Sequence, residues 1–288
     1  MNEQKAPGMI EWTRIRNADD TIRRGWTWNP IAGCEHACTW TMPTGEVAVC
    51  YAKSQAESVR LKKFYPETFD HHYWHPSRLA EPLRAKEGGS IFVCSMSDLM
   101  GHWVTDAEIE AVLDIMRRAP WHVFQILTKN PRRLLTFDFP ANVWVGASMP
   151  PDSMYGKALS ELQKDRMMRI TLETLAQVKT PVRWVSFEPL SWNTAPLMAH
   201  FAGAIQWAVI GAASNGKTLY APNDGHVQAL VEVLEDQGCS VFYKGNLKAS
   251  PWAAANWRDG FPTVAHFATV AAPVAAVEPL PLTTKEMF

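Results

Sequence analysis

Residues 28–38 read WNPIAGCEHAC and residues 50–52 read CYA, and our interpretation of the chain starts from these two segments. They hold three of the five cysteines in a loop punctuated by proline and glycine. Soft thiolate ligands select zinc, copper(I) or iron–sulfur clusters over hard cations. The loop therefore predicts a metal centre held by Cys34, Cys38 and Cys50.

The fourth ligand distinguishes the two main kinds of thiolate centre. A structural zinc site takes four protein ligands, often two cysteine pairs, and no second pair follows in this chain. His36, His71, His72 or His75 is a candidate fourth ligand. An iron–sulfur cluster on three cysteines instead leaves one iron without a protein ligand, and three thiols with no obvious fourth favour that open site.

Composition limits the class of protein. A chain of 288 residues with 47% hydrophobic content can bury one large core. Its 28 Lys and Arg against 29 Asp and Glu create no overall field towards nucleic acid or an acidic membrane. An odd number of cysteines without an N-terminal apolar segment argues against a secreted disulfide framework, and no run of about 20 apolar residues spans a membrane. We expect a soluble protein of the reducing cytoplasm.

Apolar segments alternate with helical patterns along the chain, which predicts a parallel α/β fold. Seven segments are predicted as strands: 23–28, 90–96, 121–127, 142–147, 182–187, 206–211 and 240–243. Helices are predicted from 51 to about 61 and over 77–86, 105–118, 157–178 and 224–236. Residues 1–20 are expected to form an N-terminal arm, 21–268 a single domain and 269–288 a weakly ordered tail.

Polar side chains follow most of the predicted strands. Because ligands gather at the carboxyl ends of parallel strands, these side chains are candidate binding residues. They are Ser95, Ser97, Asp98, Thr128, Lys129, Ser148, Glu188, Ser214, Asn215 and Lys244. Each has a structural alternative, such as a turn or cap for Asp98, a surface position for Lys129 and an ion pair with an arginine for Glu188. Cys94 and Cys239 are predicted to be small buried apolar residues.

At this point the chain resembles the radical S-adenosylmethionine superfamily, in which three clustered cysteines follow the first strand of a partial (β/α) barrel. More narrowly, it is similar to an uncharacterised three-cysteine family of phages and bacteria. The motifs that carry this narrower resemblance are WNP at 28–30, GC at 33–34, CYA at 50–52, FVCSMSDL at 92–99, QILTKNP at 125–131 and VSFEPL at 185–190.

The resemblance implies a four-iron, four-sulfur (4Fe-4S) cluster and S-adenosylmethionine as cofactors. The three loop cysteines would be the cluster ligands. It also implies that some of the strand-end residues contact the cofactor, namely Ser95, Ser97, Asp98, Thr128, Lys129 and Ser148. Glu188 and Lys244 are the candidate catalytic residues. A nucleic-acid base or modified nucleotide is the implied substrate, and an external electron donor is required.

One departure from the superfamily concerns spacing. The usual pattern is Cys-x3-Cys-x2-Cys, but residues 39–49 separate Cys38 from Cys50 here. The insertion contains the turn signal Pro43-Thr44-Gly45 and is expected to form a small hairpin that leaves the thiols together. Two alternatives stay open: a zinc-stabilised binding or scaffold protein, and an α/β-barrel hydrolase with Asp98 and Glu188 as an acid–base pair.

Overall fold

The computed structural model describes residues 1–5, 9–17, 19–85, 87–215 and 218–263. The tail predicted over 269–288 lies outside the described residues, as do the last residues of the predicted domain.

A single curved sheet organises the molecule, and its strands follow one another in the order of the chain. A short first strand pairs antiparallel with the second, and every later pairing is parallel. The strands are β1 (Asn2–Glu3), β2 (Gly25–Trp28), β3 (Ser90–Val93), β4 (Val123–Thr128), β5 (Val143–Ser148), β6 (Val182–Phe187), β7 (Trp207–Ile210) and β8 (Ser240–Tyr243). All seven predicted strands are confirmed within a few residues of their expected ends.

Helices connect the parallel strands. They are α1 (Tyr51–Ala56), α2 (Glu81–Arg84), α3 (Asp106–Arg118), α4 (Glu161–Gln177), α5 (Ala195–Met198), α6 (Asp224–Asp236) and α7 (Pro251–Ala255). The capping box predicted at Thr105 is present, because its hydroxyl accepts from the Glu108 amide while the Glu108 carboxylate accepts from the Thr105 amide.

Three of the five predicted helices have other bounds than expected. The helix predicted from 51 to about 61 ends at Ala56, the last buried residue of its apolar face. The helix predicted over 77–86 divides into a 3-10 turn at Pro76–Arg78 and α2. The long helix begins only at Glu161, because residues 153–158 form a hairpin.

The inner face of the sheet is lined by aromatic side chains and closed by Trp12. The Trp12 ring lies 4.6 Å from Phe92 on β3 and 6.2 Å from Trp207 on β7. Strands four places apart would be about 19 Å apart in a flat sheet, at about 4.8 Å per strand. One ring touches both, so the sheet is strongly curved, and β1 and β8 form its unjoined edges. The structure thus has the parallel α/β architecture of a partial barrel.

The outer face carries the alternate residues of the same strands. Apolar side chains such as Val145, Val185 and Ile210 pack there against Ile109 of α3 and Leu172 of α4. Period-two alternation in strands buried on both faces explains why each strand reads as continuously apolar. Residues 1–20, expected to be an arm, pack against this barrel through Trp12 and Ile15.

Three small hairpins surround the carboxyl ends of the strands, a region that we call the mouth. The first joins Thr39–Thr41 to Val47–Val49 within the insertion of the cysteine loop. The second joins Ser153–Met154 to Lys157–Ala158 after β5, and the third joins Ala213–Asn215 to Thr218–Tyr220 after β7. The first hairpin contacts the other two, because Trp40 packs 5.8 Å from Tyr220 and donates a 2.8 Å hydrogen bond to Asp152.

Candidate active site at the mouth of the sheet

The cysteine loop is held between the end of β3 and the segment rich in histidine and aromatic residues. Gly33 donates its amide to the Met96 carbonyl, and Cys34 donates to the Phe69 carbonyl, both at 2.9 Å. Gly33 has φ +82°, and a β-carbon there would overlap the carbonyl oxygen of His71. Only glycine fits this conformation and this contact, so the residue before Cys34 fixes where the first thiol leaves the sheet.

The insertion between the second and third cysteines folds as expected. Residues 39–49 form an antiparallel hairpin, and at its base the Cys50 amide donates a 3.0 Å hydrogen bond to the Cys38 carbonyl. The two cysteines are therefore neighbours in space although 11 residues separate them. The prediction that the insertion loops out is confirmed.

The three loop thiols are half-buried and influence one another. Burial, together with the neighbouring Asp98, Cys38 and Cys50, raises the pKa of Cys34 to about 12, although a hydrogen bond from the His36 backbone opposes the shift. Burial also raises the pKa of Cys38, although Lys129 opposes that shift. Cys34 and Cys50 pack against the same small apolar cluster, and Cys38 is hydrogen-bonded to Cys50, so the three cysteines lie in one region of the mouth. Ligation there requires the thiols to lose their protons, which only a strongly binding group would drive.

The donor set of the loop fits a cluster with several metal atoms. Over the part of the chain that the structure describes, no three His, Cys, Asp or Glu side chains lie close enough to bind one metal ion. A cluster binds each cysteine through a different iron, so its ligands are spread more widely than those of a single ion. Three thiols and no fourth ligand suit a cluster with one open iron.

Asp98 connects the cysteine loop to the end of β4. Its Oδ2 accepts from Thr128 Oγ1 at 3.0 Å and from the Lys129 amide at 2.8 Å, and it lies 2.8 Å from His36 Nε2. Its Oδ1 accepts from the Met100 amide at 2.9 Å. Burial alone would raise the pKa of this carboxyl, but the hydrogen bond and charge of His36, with the Lys129 and Thr128 donors, hold it below its usual value. The alternative that Asp98 caps a turn is thus realised through Met100.

Two further strand-end residues face the thiols from β4 and β5. The amine of Lys129 lies 3.4 Å from Ser148 Oγ. The surrounding protein lowers the pKa of this amine, but Cys38, Cys50 and Asp98 outweigh that effect and raise it. The Lys129 side chain is exposed to solvent, so it presents a cation at the mouth. An anionic group of a ligand would find it there.

The serines after β3 bond to residues of the cysteine loop, Ser95 to a side chain and Ser97 to the backbone. Ser95 Oγ donates to Asn29 Oδ1 at 3.2 Å, and the same oxygen accepts from the Met96 amide. Ser97 Oγ donates to the Gly33 carbonyl. Both predicted serines therefore fix the turn that supports the cysteine loop, and Asn29 is a participant that our sequence reading did not single out.

Glu188 and Lys244, the two predicted catalytic residues, form an ion pair across the mouth. They follow β6 and β8, and Gly211 at the end of the intervening strand leaves room for them. A β-carbon on Gly211 would lie 3.0 Å from Lys244 Cδ and 3.2 Å from Glu188 Cγ. Asn246 closes the group by bonding the amide and carbonyl of Ala212. The partner of Glu188 is a lysine rather than the arginine considered as its structural alternative.

Other sequence predictions have clear positions in the structure. Cys94 and Cys239 are buried, as predicted. His72 lies 2.9 Å from Glu108, and Ser214 and Asn215 are exposed on the third hairpin. Asp98 and Glu188 interact with different partners, and no hydrogen bond or ion pair joins them within the described ranges.

Two tyrosines at the mouth were missed. Tyr51, the residue after Cys50, donates its hydroxyl to the Ser95 carbonyl at 2.8 Å. Tyr155 lies at the tip of the second hairpin. Tyr51 was visible in the CYA motif, whereas a two-residue turn of Tyr155 and Gly156 gives little signal in a sequence.

Comparison with protein families places the chain. The model of the family described as "Protein of unknown function (DUF5131)" matches residues 9–256, and the chain belongs to this family. No curated protein matches the chain.

Solved structures similar to this one include spore photoproduct lyase. The form complexed with dinucleoside spore photoproduct has 10% identity and a TM-score of 0.48, over 81% of this chain and 80% of that one. A mutant of that enzyme with bound AdoMet and dinucleoside spore photoproduct has 10% identity and a TM-score of 0.38, over 81% and 79% of the two chains. In the described residues of our structure, helices long and apolar enough for a membrane span are absent.

Proposed function

We propose that the chain is a radical S-adenosylmethionine enzyme that binds a 4Fe-4S cluster through Cys34, Cys38 and Cys50. The observation that carries this proposal is the placement of three half-buried cysteines in one region at the mouth of a parallel, barrel-like sheet. The carboxyl ends of such strands are where ligands of this architecture bind.

The chemistry that the bound group supplies is reductive cleavage of the sulfonium bond of S-adenosylmethionine, which yields methionine and a 5′-deoxyadenosyl radical that takes hydrogen from a substrate. The protein supplies the surroundings of that reaction. Asp98 positions the loop through His36, and it also fixes Thr128 and the Lys129 amide. The Lys129 amine, next to Ser148, is suited to a carboxylate of the cofactor.

The ion pair of Glu188 and Lys244 is the proposed substrate-binding and catalytic group. It lies at the mouth on strands β6 and β8, and it is partly exposed. A paired lysine and glutamate can bind polar groups of a substrate while each neutralises the other when the site is empty.

A nucleic-acid base or a modified nucleotide is the proposed substrate, as in phage-type DNA modification. Exposed tyrosines at the mouth support it, because Tyr51 is 56% exposed and Tyr155 is 58% exposed. Aromatic rings exposed at a site stack well on bases. A base inside duplex DNA would have to be turned out of the helix to reach the thiols. An external electron donor and a cytoplasmic location are part of the same proposal.

Anaerobic reconstitution tests the proposal directly. The chain should bind iron and sulfide at about four each and turn brown. With dithionite and S-adenosylmethionine it should then release 5′-deoxyadenosine, which chromatography detects.

The matched control replaces a cysteine outside the loop. A variant with Cys34, Cys38 and Cys50 changed to alanine should bind no iron and give no product, whereas Cys239→Ala should behave like the parent. One zinc ion per chain and no iron after reconstitution would instead identify the zinc-stabilised protein that the sequence left open.

A further inference from the structure

The second hairpin of the mouth ends in an unusual turn. Met154 pairs with Lys157, so Tyr155 and Gly156 form a two-residue loop. Both have positive φ, +54° for Tyr155 and +72° for Gly156, as a type I′ turn requires. Asn-Gly and Asp-Gly are the usual sequences of such turns, and a bulky aromatic residue with positive φ is a conformational outlier. Tyrosine is therefore a poor choice for this turn on backbone grounds alone.

The hairpin is fixed in place by the insertion of the cysteine loop. Trp40 Nε1 donates to Asp152 Oδ1 at 2.8 Å, and the Thr41 amide donates to Ser153 Oγ at 2.9 Å. The Asp152 amide in turn donates to Ser191 Oγ at 2.8 Å. The hairpin that joins Cys38 to Cys50 therefore determines where the tip of the second hairpin lies.

The tyrosine ring is open to solvent at the tip of a hairpin that the insertion of the cysteine loop anchors. Its side chain is 58% exposed, although the rest of its hairpin is anchored on both sides. Partial burial raises the pKa of the Tyr155 phenol, Cys38 and Cys34 raise it further, and Lys129 lowers it. Within the described residues the Tyr155 hydroxyl makes no hydrogen bond, so hydrogen bonding within the protein does not explain why tyrosine stands there.

We propose that Tyr155 is a stacking residue that binds the base of a nucleoside at the mouth, and that the insertion hairpin exists to position it. The inference rests on the proposed function and adds the residue that recognises the base. Two sources supply a base at this position, the adenosyl group of S-adenosylmethionine and the nucleic-acid substrate. A strained turn that presents an exposed ring is typical of a site where binding, rather than stability, determines the residue.

The test compares three full-length chains carrying the reconstituted cluster: the parent, Tyr155→Phe and Tyr155→Asn. Phenylalanine keeps the ring, whereas asparagine removes it and suits the turn. Equilibrium dialysis measures the binding of S-adenosylmethionine, and fluorescence anisotropy measures the binding of a fluorescein-labelled, single-stranded DNA oligonucleotide of mixed sequence. Phe64→Asn, which removes an aromatic ring 60% exposed on another loop, is the matched control.

The ring-containing chains should bind alike within about twofold, and Tyr155→Asn should lose about 5- to 150-fold in affinity for one of the two ligands. A loss confined to S-adenosylmethionine assigns the base to the cofactor, and a loss confined to the oligonucleotide assigns it to the substrate. Tyr155→Asn should also melt about 1–4 °C higher than the parent, because asparagine tolerates positive φ.

Unchanged affinity of Tyr155→Asn for both ligands would overturn the inference while leaving the proposed function intact. A lower melting temperature for that variant would overturn the claim that the turn is strained by tyrosine. A parent chain that binds no cluster and releases no 5′-deoxyadenosine would overturn the proposed function and this inference with it.

Discussion

The two ends of the sheet bury polar groups in opposite ways. At the amino end, Asn142 donates its side-chain amide to the carbonyls of Met116, Ala119 and His122, at 3.0–3.1 Å. His122 in turn accepts from the Gly89 amide and lies 3.1 Å from the Pro82 carbonyl. These side chains are buried, and they make their hydrogen bonds within the protein. Their pattern is what a folding scaffold needs.

The mouth also has polar and ionisable side chains, but several of them are open to a ligand. The thiols are half-buried, the Lys129 side chain is exposed, and the Tyr155 ring projects into solvent. Asp98, by contrast, is saturated by protein donors, and it acts as the link between the loop and the sheet. The comparison teaches that stability should be sensitive to the amino end, and chemistry to the mouth.

The largest effect on stability is expected at Trp12, which closes the amino end. Trp12→Ala should lower the free energy of unfolding by about 3–5 kcal/mol, since the ring is 5% exposed and contacts Phe92 and Trp184. Urea denaturation measures this loss. At low temperature the folded variant should still bind iron, and failure to do so would show that the two ends are not separable.

The next largest effect is a dependence on pH from His122. Burial lowers the pKa of this imidazole to about 4, whereas its unfolded value is 6.5. Between these values the unfolded chain binds more protons, so stability falls as the pH drops from 6.5 to 4, by about 3 kcal/mol in all. Urea denaturation at pH 7.0 and pH 4.5 measures the difference. His122→Gln should flatten this dependence, and an unchanged slope in that variant would assign it to other groups.

A smaller effect is expected at Asp98, the link between the two regions. Asp98→Asn replaces one carboxylate oxygen by an NH2 group, which cannot accept the hydrogen bonds that this oxygen accepts. The variant should therefore lose about 1–3 kcal/mol of stability. The cysteine loop should lose its hold as well, and iron retention after gel filtration should fall below that of the parent. Asp106→Asn, at an exposed ion pair with Arg133, is the control and should retain iron normally. Full retention in Asp98→Asn would remove Asp98 from the positioning role.

The smallest effect on stability is expected at Lys244. Exposed ion pairs contribute about 0–1 kcal/mol, so Lys244→Met should unfold nearly like the parent. Because the pair is the proposed substrate group, product formation should nevertheless fall at least tenfold. Arg169→Met, which breaks a comparable pair with Asp165 on α4, should leave product formation unchanged. A loss of stability in Lys244→Met with normal turnover would reverse the assignment.

The sequence predicted the scaffold better than the site. Strands buried on both faces are continuously apolar, so all seven could be found from local pattern, and the turn signal Pro43-Thr44-Gly45 revealed the insertion hairpin. The end of α1 could not be found, because the helical pattern continues beyond Ala56 while burial stops there. Local pattern also cannot show that Asp98 meets His36 and Thr128, which lie 62 and 30 residues away along the chain. The role of a buried carboxylate is decided by such distant partners.

One hydrogen bond, from the Cys50 amide to the Cys38 carbonyl, joins the two ends of the 39–49 excursion. Whatever lies beyond that junction can change in length without separating the second and third sulfurs. An engineer could therefore lengthen the tip of the segment, at Pro43-Thr44-Gly45, to carry a recognition peptide without parting Cys38 from Cys50.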